Sequence, residues 1–585
     1  MDPMEYIVPN RKRLPYGMMN FAVIRREDYY YVDKTRFIPM IEQADRFFFF
    51  IRPRRFGKSL TLNVLQHYYD VRTRDKFNDL FGDLYIGKHP TANRNSYLVL
   101  YLNFSGITGE LNDYRKGLDA HCSITFMNFC KRYADLLPPE TLEELRQVNG
   151  AVEQLDYLYQ ACERAGQKMY LFIDEYDHFT NAILSDAKSL HRYTDETHGE
   201  GYLRAFFNKV KAGTYSSIER CFITGVSPVT MDDLTSGFNI GTNYSLTPQF
   251  NQMMGFTEEE VREMLTYYST NSPFRHTVDE LMEIMKPWYD NYCFTEESLD
   301  HDPKIFNCDM VLYYLRNYMT LGKSPKEMID PNTRTDYNKM KRLIQLDKLD
   351  GNRKGVLRKI TEEGQIVTNL ITTFPATQIA NPEIFPSLLF YYGMLTITAK
   401  RGNYLVLSIP NNNVRKQYYE FLLEEYQDKR HINLNDLGLM FYDMAYDGHW
   451  RESLEFIANA YKENSSVRSA IEGERNIQGF FTAYLSVNAY YLTAPEVELN
   501  HGYCDLFLMP DLLRYEVKHS YILELKYLSS KDTEEKAETQ WKEAVEQIKK
   551  YAAAPKVRQL IHDTKLHCIV MQIRGSELKR MEEVQ

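Results

Sequence analysis

The chain has 585 residues, more than one hydrophobic core organises, so several domains are expected. Hydrophobic residues make up 44% and charged residues 26%, ordinary for a globular protein, while a formal net charge of −10 excludes a globally basic chain. Any nucleic acid would therefore have to meet a local positive patch. The 45 Tyr and 32 Phe point to aromatic-rich cores. The eight cysteines form no CxxC pair and no zinc-ligand spacing, which fits reduced thiols. The N-terminal stretch lacks the apolar core of a signal peptide, and no apolar run approaches the roughly 18 residues that cross a bilayer. A cytoplasmic protein with no membrane partner is the expectation.

In chain order, residues 46–228 alternate between buried strands and helices. Phe47–Ile51, Tyr97–Phe104, Met169–Ile173 and Arg220–Thr224 are continuous apolar strands, and Leu60–Tyr69 has a helical pattern. Such strands imply a parallel sheet covered by helices on both faces. Between about 256 and 430 the pattern becomes mainly helical, with Thr257–Tyr268, Val278–Lys286 and Met310–Met319 as examples. Gly351–Gly355 and Asn411–Asn413 read as loop-like breaks. Helical periodicity resumes over Leu437–Lys462 and Ile477–Ser486. Strands follow at Tyr503–Met509 and Ser520–Tyr527, then a charged helix at Thr533–Ala552 and a strand at Leu566–Gln572. The expected domains are 1–255, 256–430 and 431–585, the last an α/β unit with its own core.

The strand Phe47–Ile51, the loop Arg52-Pro-Arg-Arg-Phe-Gly57 and the helix opening at Lys58-Ser59 form the strand–loop–helix setting of a phosphate-binding loop. Gly57 lets the backbone approach phosphates, and amides from Arg54, Arg55, Phe56 and Lys58 would supply donors at a helix N-terminus. Lys58 would reach the β- and γ-phosphates of ATP, and the Ser59 hydroxyl would ligate Mg²⁺. Arg52 stands where the general motif has its first glycine, which leaves the loop geometry open. Tyr170-Leu-Phe-Ile-Asp-Glu175 is an apolar strand ending in two acids. Asp174 would hold Mg²⁺ through its water shell, and Glu175 would polarise the attacking water. Thr224, at the end of a further strand, is a candidate γ-phosphate sensor. An arginine finger cannot be chosen among Arg54, Arg55, Arg204 and Arg220; one acting in trans would make the protein a homo-oligomer, a ring or a dimer.

A second constellation lies near the C-terminus. Asp505 opens one strand, and Glu524 and Lys526 lie two apart on the next, hence on one face, with Leu523 and Leu525 on the other. A charged pair inside an apolar strand is costly to bury unless it binds something. Asp505, Glu524 and the Leu525 carbonyl would hold Mg²⁺, and Lys526 would orient or activate the attacking water of a phosphodiester hydrolysis. Gln547 and Tyr551, one turn apart on the following helix, would support the metal or contact nucleic acid. Glu474 and Glu498 are additional candidate acids, although a solvated carboxylate is the blander account of each.

Together these segments resemble a prokaryotic family in which an AAA-ATPase-like domain precedes a PD-(D/E)xK nuclease-superfamily domain. The resemblance rests on Tyr31-Val-Asp-Lys-Thr35, Arg52-Pro-Arg-Arg-Phe-Gly-Lys-Ser59, Phe172-Ile-Asp-Glu-Tyr176, Phe222-Ile-Thr-Gly-Val-Ser227 and Trp288-Tyr-Asp-Asn-Tyr292. At the C-terminal end it rests on Gly502-Tyr-Cys-Asp-Leu-Phe-Leu508 and Ile522-Leu-Glu-Leu-Lys-Tyr527. Arg52 looks typical of this family, and the Gln547…Tyr551 spacing is similar to the helix motif of RecB-like nucleases. The resemblance implies a P-loop NTPase sheet, a mainly helical middle region and a restriction-endonuclease-like α/β domain. It implies Mg²⁺-dependent ATP binding and hydrolysis with a nuclease fold attached, and establishes no substrate. The completeness of both constellations leads to the expectation of an ATPase-coupled nuclease acting on DNA or RNA, in defence or mobile-element control. The competing expectation is a nucleotide-switched regulatory or interaction protein whose nuclease fold is only a binding module.

Overall fold

The computed structural model describes residues 11–107, 114–178, 202–228, 241–270, 274–300, 304–333, 353–374, 378, 381, 383–427, 434–465, 473–499 and 502–584. It divides into two compact units, Met1–Lys354 with Val367–Pro410, and Gly355–Ile366 with Asn411–Gln585.

The first unit is built on five parallel strands: β1 (Phe47–Ile51), β2 (Leu98–Asn103), β3 (Met169–Asp174), β4 (Ile218–Gly225) and the short β5 (Thr242–Asn243). Their order across the sheet is β2-β3-β4-β1-β5, so β4 separates the phosphate-loop strand from the acidic strand. Every residue of β3 is buried, and all but the first of β1, as expected when helices cover both faces. β2 lies at the sheet edge and alternates between buried and half-buried positions. The intervening helices include α1 (Lys58–Tyr69), α2 (Tyr114–Arg132), α3 (Ala151–Arg164) and α4 (Tyr202–Gly213).

After the sheet the unit becomes mainly helical, with α5 (Glu258–Thr270), α6 (Val278–Tyr289) and α7 (Cys308–Leu321). The start of α6 is fixed by a capping box, in which the Thr277 hydroxyl accepts from the Glu280 N–H and the Glu280 carboxylate accepts from the Thr277 N–H. α7 stops where Gly322 takes a φ of 65°. The helical pattern omits a short strand β6 (Gln365–Thr368) and a hairpin of β7 (Thr396–Arg401) and β8 (Tyr404–Ser408). No described helix is long and apolar enough to cross a membrane.

The second unit carries the helices α8 (Asn412–Gln427), α9 (Leu434–Tyr446), α10 (Arg451–Ser465), α11 (Glu474–Leu485) and α12 (Glu534–Ala552). Its strands are β9 (Tyr491–Leu499), β10 (Gly502–Pro510), β11 (His519–Leu528), β12 (Lys565–Arg574) and β13 (Glu577–Glu583). They form one sheet in the order β13-β12-β11-β10-β9. Only β11 and β12 run parallel, and α12 lies in the crossover that joins them. Leu506, Leu523, Leu525 and Met571 face a core shared with α9, α10 and α11. Ile522 and Val570 face Trp541, Ala544 and Ile548 of α12. The helical stretch Leu437–Lys462 comprises α9 and α10, separated where Gly448 adopts a φ of 76°. The break read at Asn411–Asn413 falls where the second unit resumes, and there the Asn411 side chain accepts from the Val414 N–H at 3.1 Å at the start of α8.

Candidate functional site

The phosphate loop leaves the end of β1 and turns into α1 through Gly57, whose φ of 88° lies in the left-handed region. No side chain caps this helix start, so its first amides stay open to an anion. Arg55 also takes a positive φ, 67°, a strained choice for a side-chain-bearing residue. Arg54, Arg55, Phe56, Gly57, Lys58 and Ser59 all line one cleft of about 620 Å³, with Glu175 and His178 across from them. Its lining also includes the apolar Met18, Ile24, Val32, Met254, Met264 and Leu312. Charged and apolar walls together suit a phosphorylated ligand with a flat, weakly polar group.

Lys58 is buried and its ammonium donates to the carbonyls of Arg52 and Pro53, both at 3.0 Å. Burial pushes its pKa down, while Glu175, Asp174 and Asp177 pull it back. The Ser59 hydroxyl donates to Asp174 Oδ2 at 2.7 Å, joining the loop to the end of β3 across the intervening strand. Tyr101 donates to the same oxygen at 3.0 Å, and the Glu175 N–H donates to Oδ1 at 3.0 Å. Burial raises the pKa of the Asp174 carboxyl, opposed by the Ser59 and Tyr101 hydrogen bonds and by Lys58. Glu175 has a φ of 54°, which strains its backbone at the cleft wall. Ser59 and Asp174 are a hard-oxygen pair of the kind that fits Mg²⁺ alongside phosphate oxygens.

Several residues singled out in the sequence take places away from the open part of the loop. The Arg52 guanidinium turns into the core, 4.2 Å from the ring centres of both Phe50 and Phe294. Thr224 is fully buried and its hydroxyl donates to the Phe50 carbonyl at 2.6 Å, which ties β4 to β1 and keeps it off the cleft wall. Arg220 donates to the Glu42 carbonyl at 2.8 Å from the early part of β4, and neither it nor Arg204 lines the cleft. Arg55 lines it but is ion-paired to Asp309 at 2.6 Å at the start of α7.

Sequence inspection missed several supports. The Arg55 carbonyl accepts from the Cys308 thiol at 3.1 Å. Phe56 packs edge-on against Tyr292 and Phe294, with ring centres 5.0 and 5.5 Å away. Lys34, on the cleft wall, bonds Glu260 at 2.6 Å and the Gln252 carbonyl at 2.9 Å, which pins α5 to the segment before β1. No local pattern reveals these contacts, because the partners lie more than 200 residues apart.

The second site sits where β10 and β11 part. Their pairing ends at Leu506↔Leu523, and beyond it Asp505 Oδ2 accepts the Leu525 N–H at 2.7 Å. Gln478 of α11 donates to the Asp505 carbonyl at 2.8 Å, holding the fork open from the other side. Lys526 lies among three carboxylates: Glu524 at 2.9 Å, Glu474 at 3.0 Å and Asp505 at 4.0 Å. Glu524 is 1% exposed, and burial with the facing Asp505 pushes its carboxyl up to about 7 despite Lys526. The surrounding carboxylates outweigh burial at Lys526 and raise its pKa. Tyr551 is buried with its hydroxyl bonded to Gln547, and Glu524 and Asp505 both act on it. The Glu498 side chain lies outside the described residues.

Among the described residues no three His, Cys, Asp or Glu side chains are already gathered as ligands, because the Lys526 ammonium occupies the middle of the acidic group. The residues nevertheless fit a hard divalent cation. Glu524 Oε2 is buried with no hydrogen-bond partner among the described residues, and such an oxygen is stabilised by a cation. Asp505, Glu524 and the Leu525 carbonyl would hold that ion.

Residues 15–235 match the family model described as predicted AAA-ATPase, and residues 472–583 match that of the PD-(D/E)XK nuclease superfamily. A curated relative, an uncharacterized protein in the vnfD 5′ region of Azotobacter chroococcum mcd 1, is 28% identical over 292 residues. That match covers 50% of each chain, so this chain spans about half the length of the curated relative. The solved structure of the Aeropyrum pernix ORC2 protein (ADPNP-ADP complexes) aligns with 72% of this chain and 96% of that one, at 10% identity and a TM-score of 0.30. The first match contains the phosphate loop and the end of β3, and the second contains the Asp505–Glu524–Lys526 fork, so a stretch similar to the AAA-ATPase model precedes one similar to the PD-(D/E)XK nuclease superfamily.

Proposed function

We propose that the first unit binds and hydrolyses ATP with Mg²⁺, and that the second cleaves phosphodiester bonds in DNA or RNA under its control. The observation that carries the first half is the Ser59–Asp174 hydrogen bond at 2.7 Å, next to a cleft that Lys58 and Ser59 line together with apolar residues. Lys58 and the open amides of α1 bind phosphate, Ser59 and Asp174 hold the ion, and Glu175 orients water. When bound, Mg²⁺ neutralises charge on the phosphates.

The second half is carried by the Asp505–Glu524–Lys526 fork with its partnerless Glu524 oxygen. A cation there would polarise the phosphoryl oxygen. Lys526 positions water and Glu474 holds Lys526, while Gln547 and Tyr551 support the acidic face. Cleavage of single- and double-stranded DNA and of RNA, assayed with Mg²⁺ or Mn²⁺, should appear in wild type and vanish in Asp505→Ala and Lys526→Ala. Cutting that persists in both variants would refute the site. Calorimetry should find ATP binding in wild type and its loss in Lys58→Ala.

A second reading, a nucleotide-switched binding protein with a silent nuclease fold, is favoured by the position of the Lys526 ammonium among the carboxylates, where it competes with a metal ion. Under it, ATP binds but no substrate is cut with any divalent metal. A role in defence or mobile-element control is proposed with the nuclease reading, a homo-oligomeric state on an arginine acting in trans, and a cytoplasmic location on the pattern of unpaired cysteines.

A further inference from the structure

Arg52 occupies the first position of the phosphate loop, and its own carbonyl accepts from the Lys58 ammonium at 3.0 Å. Its side chain is 1% exposed and lies between the rings of Phe50 and Phe294. It donates to the carbonyls of Ile51, Ser245 and Phe250 at 3.0, 2.6 and 3.4 Å. No ion pair to it occurs among the described residues; the ionisable groups acting on it are Tyr391 and Cys293, which are neutral at pH 7. Burying an unpaired cation is costly, and rings and carbonyls offset that cost only in part. A methionine would fill the same space without that cost. Burial lowers the pKa of the guanidinium to about 9, which still leaves it charged at neutral pH.

We propose that Arg52 is an electrostatic positioning residue of the phosphate loop, whose unpaired buried charge behind the loop strengthens binding in proportion to the phosphate charge of the ligand. The proposal rests on the phosphate-loop reading above. A buried charge behind the loop, poorly screened by water, acts most on the most highly charged ligand. It touches no substrate and works through the loop that Lys58 closes.

The test compares adenosine, AMP, ADP and ATP by calorimetry on wild type, Arg52→Met, Arg52→Lys and Lys58→Ala. Arg52→Met should weaken ATP on the order of tenfold, ADP less and AMP least, with adenosine unchanged; Arg52→Lys, which keeps the charge, should restore most of the ATP affinity. Equal weakening of all four ligands would reduce Arg52 to a packing residue and overturn the proposal, as would unchanged ATP affinity. If Arg52→Met does not fold, Arg52→Gln carries the test, since it drops the charge while keeping an amide donor for the carbonyls of Ile51, Ser245 and Phe250. It should give the same graded loss, and a flat response overturns the proposal. ATP binding that survives Lys58→Ala refutes the phosphate-loop reading itself, an outcome distinct from either result at Arg52.

Discussion

Replacing Glu524 with glutamine should stabilise the metal-free second unit at pH 8, although it removes a residue assigned to the metal. The Glu524 side chain is 1% exposed, one of its oxygens has no partner among the described residues, and Asp505 faces it. Its carboxyl rises from an ordinary 4.5 to about 7. Between those values the unfolded chain releases this proton while the native chain keeps it, so stability falls as pH rises. At ~1.36 kcal/mol per pH unit the loss amounts to roughly 3 kcal/mol, fully expressed above pH 7 and absent below 4.5. Glutamine keeps the shape and drops the charge, but Lys526 then retains only Glu474 at 3.0 Å and Asp505 at 4.0 Å. A net gain of about 1–2 kcal/mol at pH 8, shrinking toward zero at pH 5, is the expectation. Urea unfolding with a chelator present measures it, in a Trp288→Phe background so that only Trp450 and Trp541 of the second unit report. A variant less stable than wild type at pH 8, or a difference that does not change with pH, would refute the reasoning.

The same carboxyl sets the pH dependence of metal binding. With Glu524 protonated below about 7, Mn²⁺ affinity should fall up to about tenfold per pH unit below that point and level off above it, read by calorimetry; pH-independent affinity would exclude Glu524 as a ligand. Thr224→Val should cost about 1 kcal/mol of stability through the lost bond to the Phe50 carbonyl, while ATP affinity stays within about twofold. A tenfold loss of ATP affinity would instead make Thr224 the γ-phosphate contact that its sequence position suggests.

The parts legible in the sequence are those whose signal is local. Phe47–Ile51 and Met169–Ile173 read as buried strands because both faces of the sheet are covered, so apolar residues run without alternation. Glu524 and Lys526 share a face because strand periodicity is two, and Leu523 and Leu525 enter the opposite core. What stayed hidden depends on chain returning from far away. Arg52 appears in sequence only as a missing glycine; Phe294, which holds its guanidinium, is 242 positions later. The two edge strands escaped for another reason. β9 contains Pro495, and β13 reads Glu577-Leu-Lys-Arg-Met-Glu-Glu583, charged as exposed edges often are. Glu474 looked like a surface acid until α11 brought it to Lys526.

The central claim is that a nucleotide site controls a hydrolytic site in the same chain, and initial cleavage rates against ATP concentration test it most directly. Wild type should show a metal-dependent rate that changes with ATP, and Lys58→Ala should cut at one rate regardless of ATP, with Asp505→Ala inactive throughout. Cleavage by wild type at the same rate with and without ATP would contradict the claim.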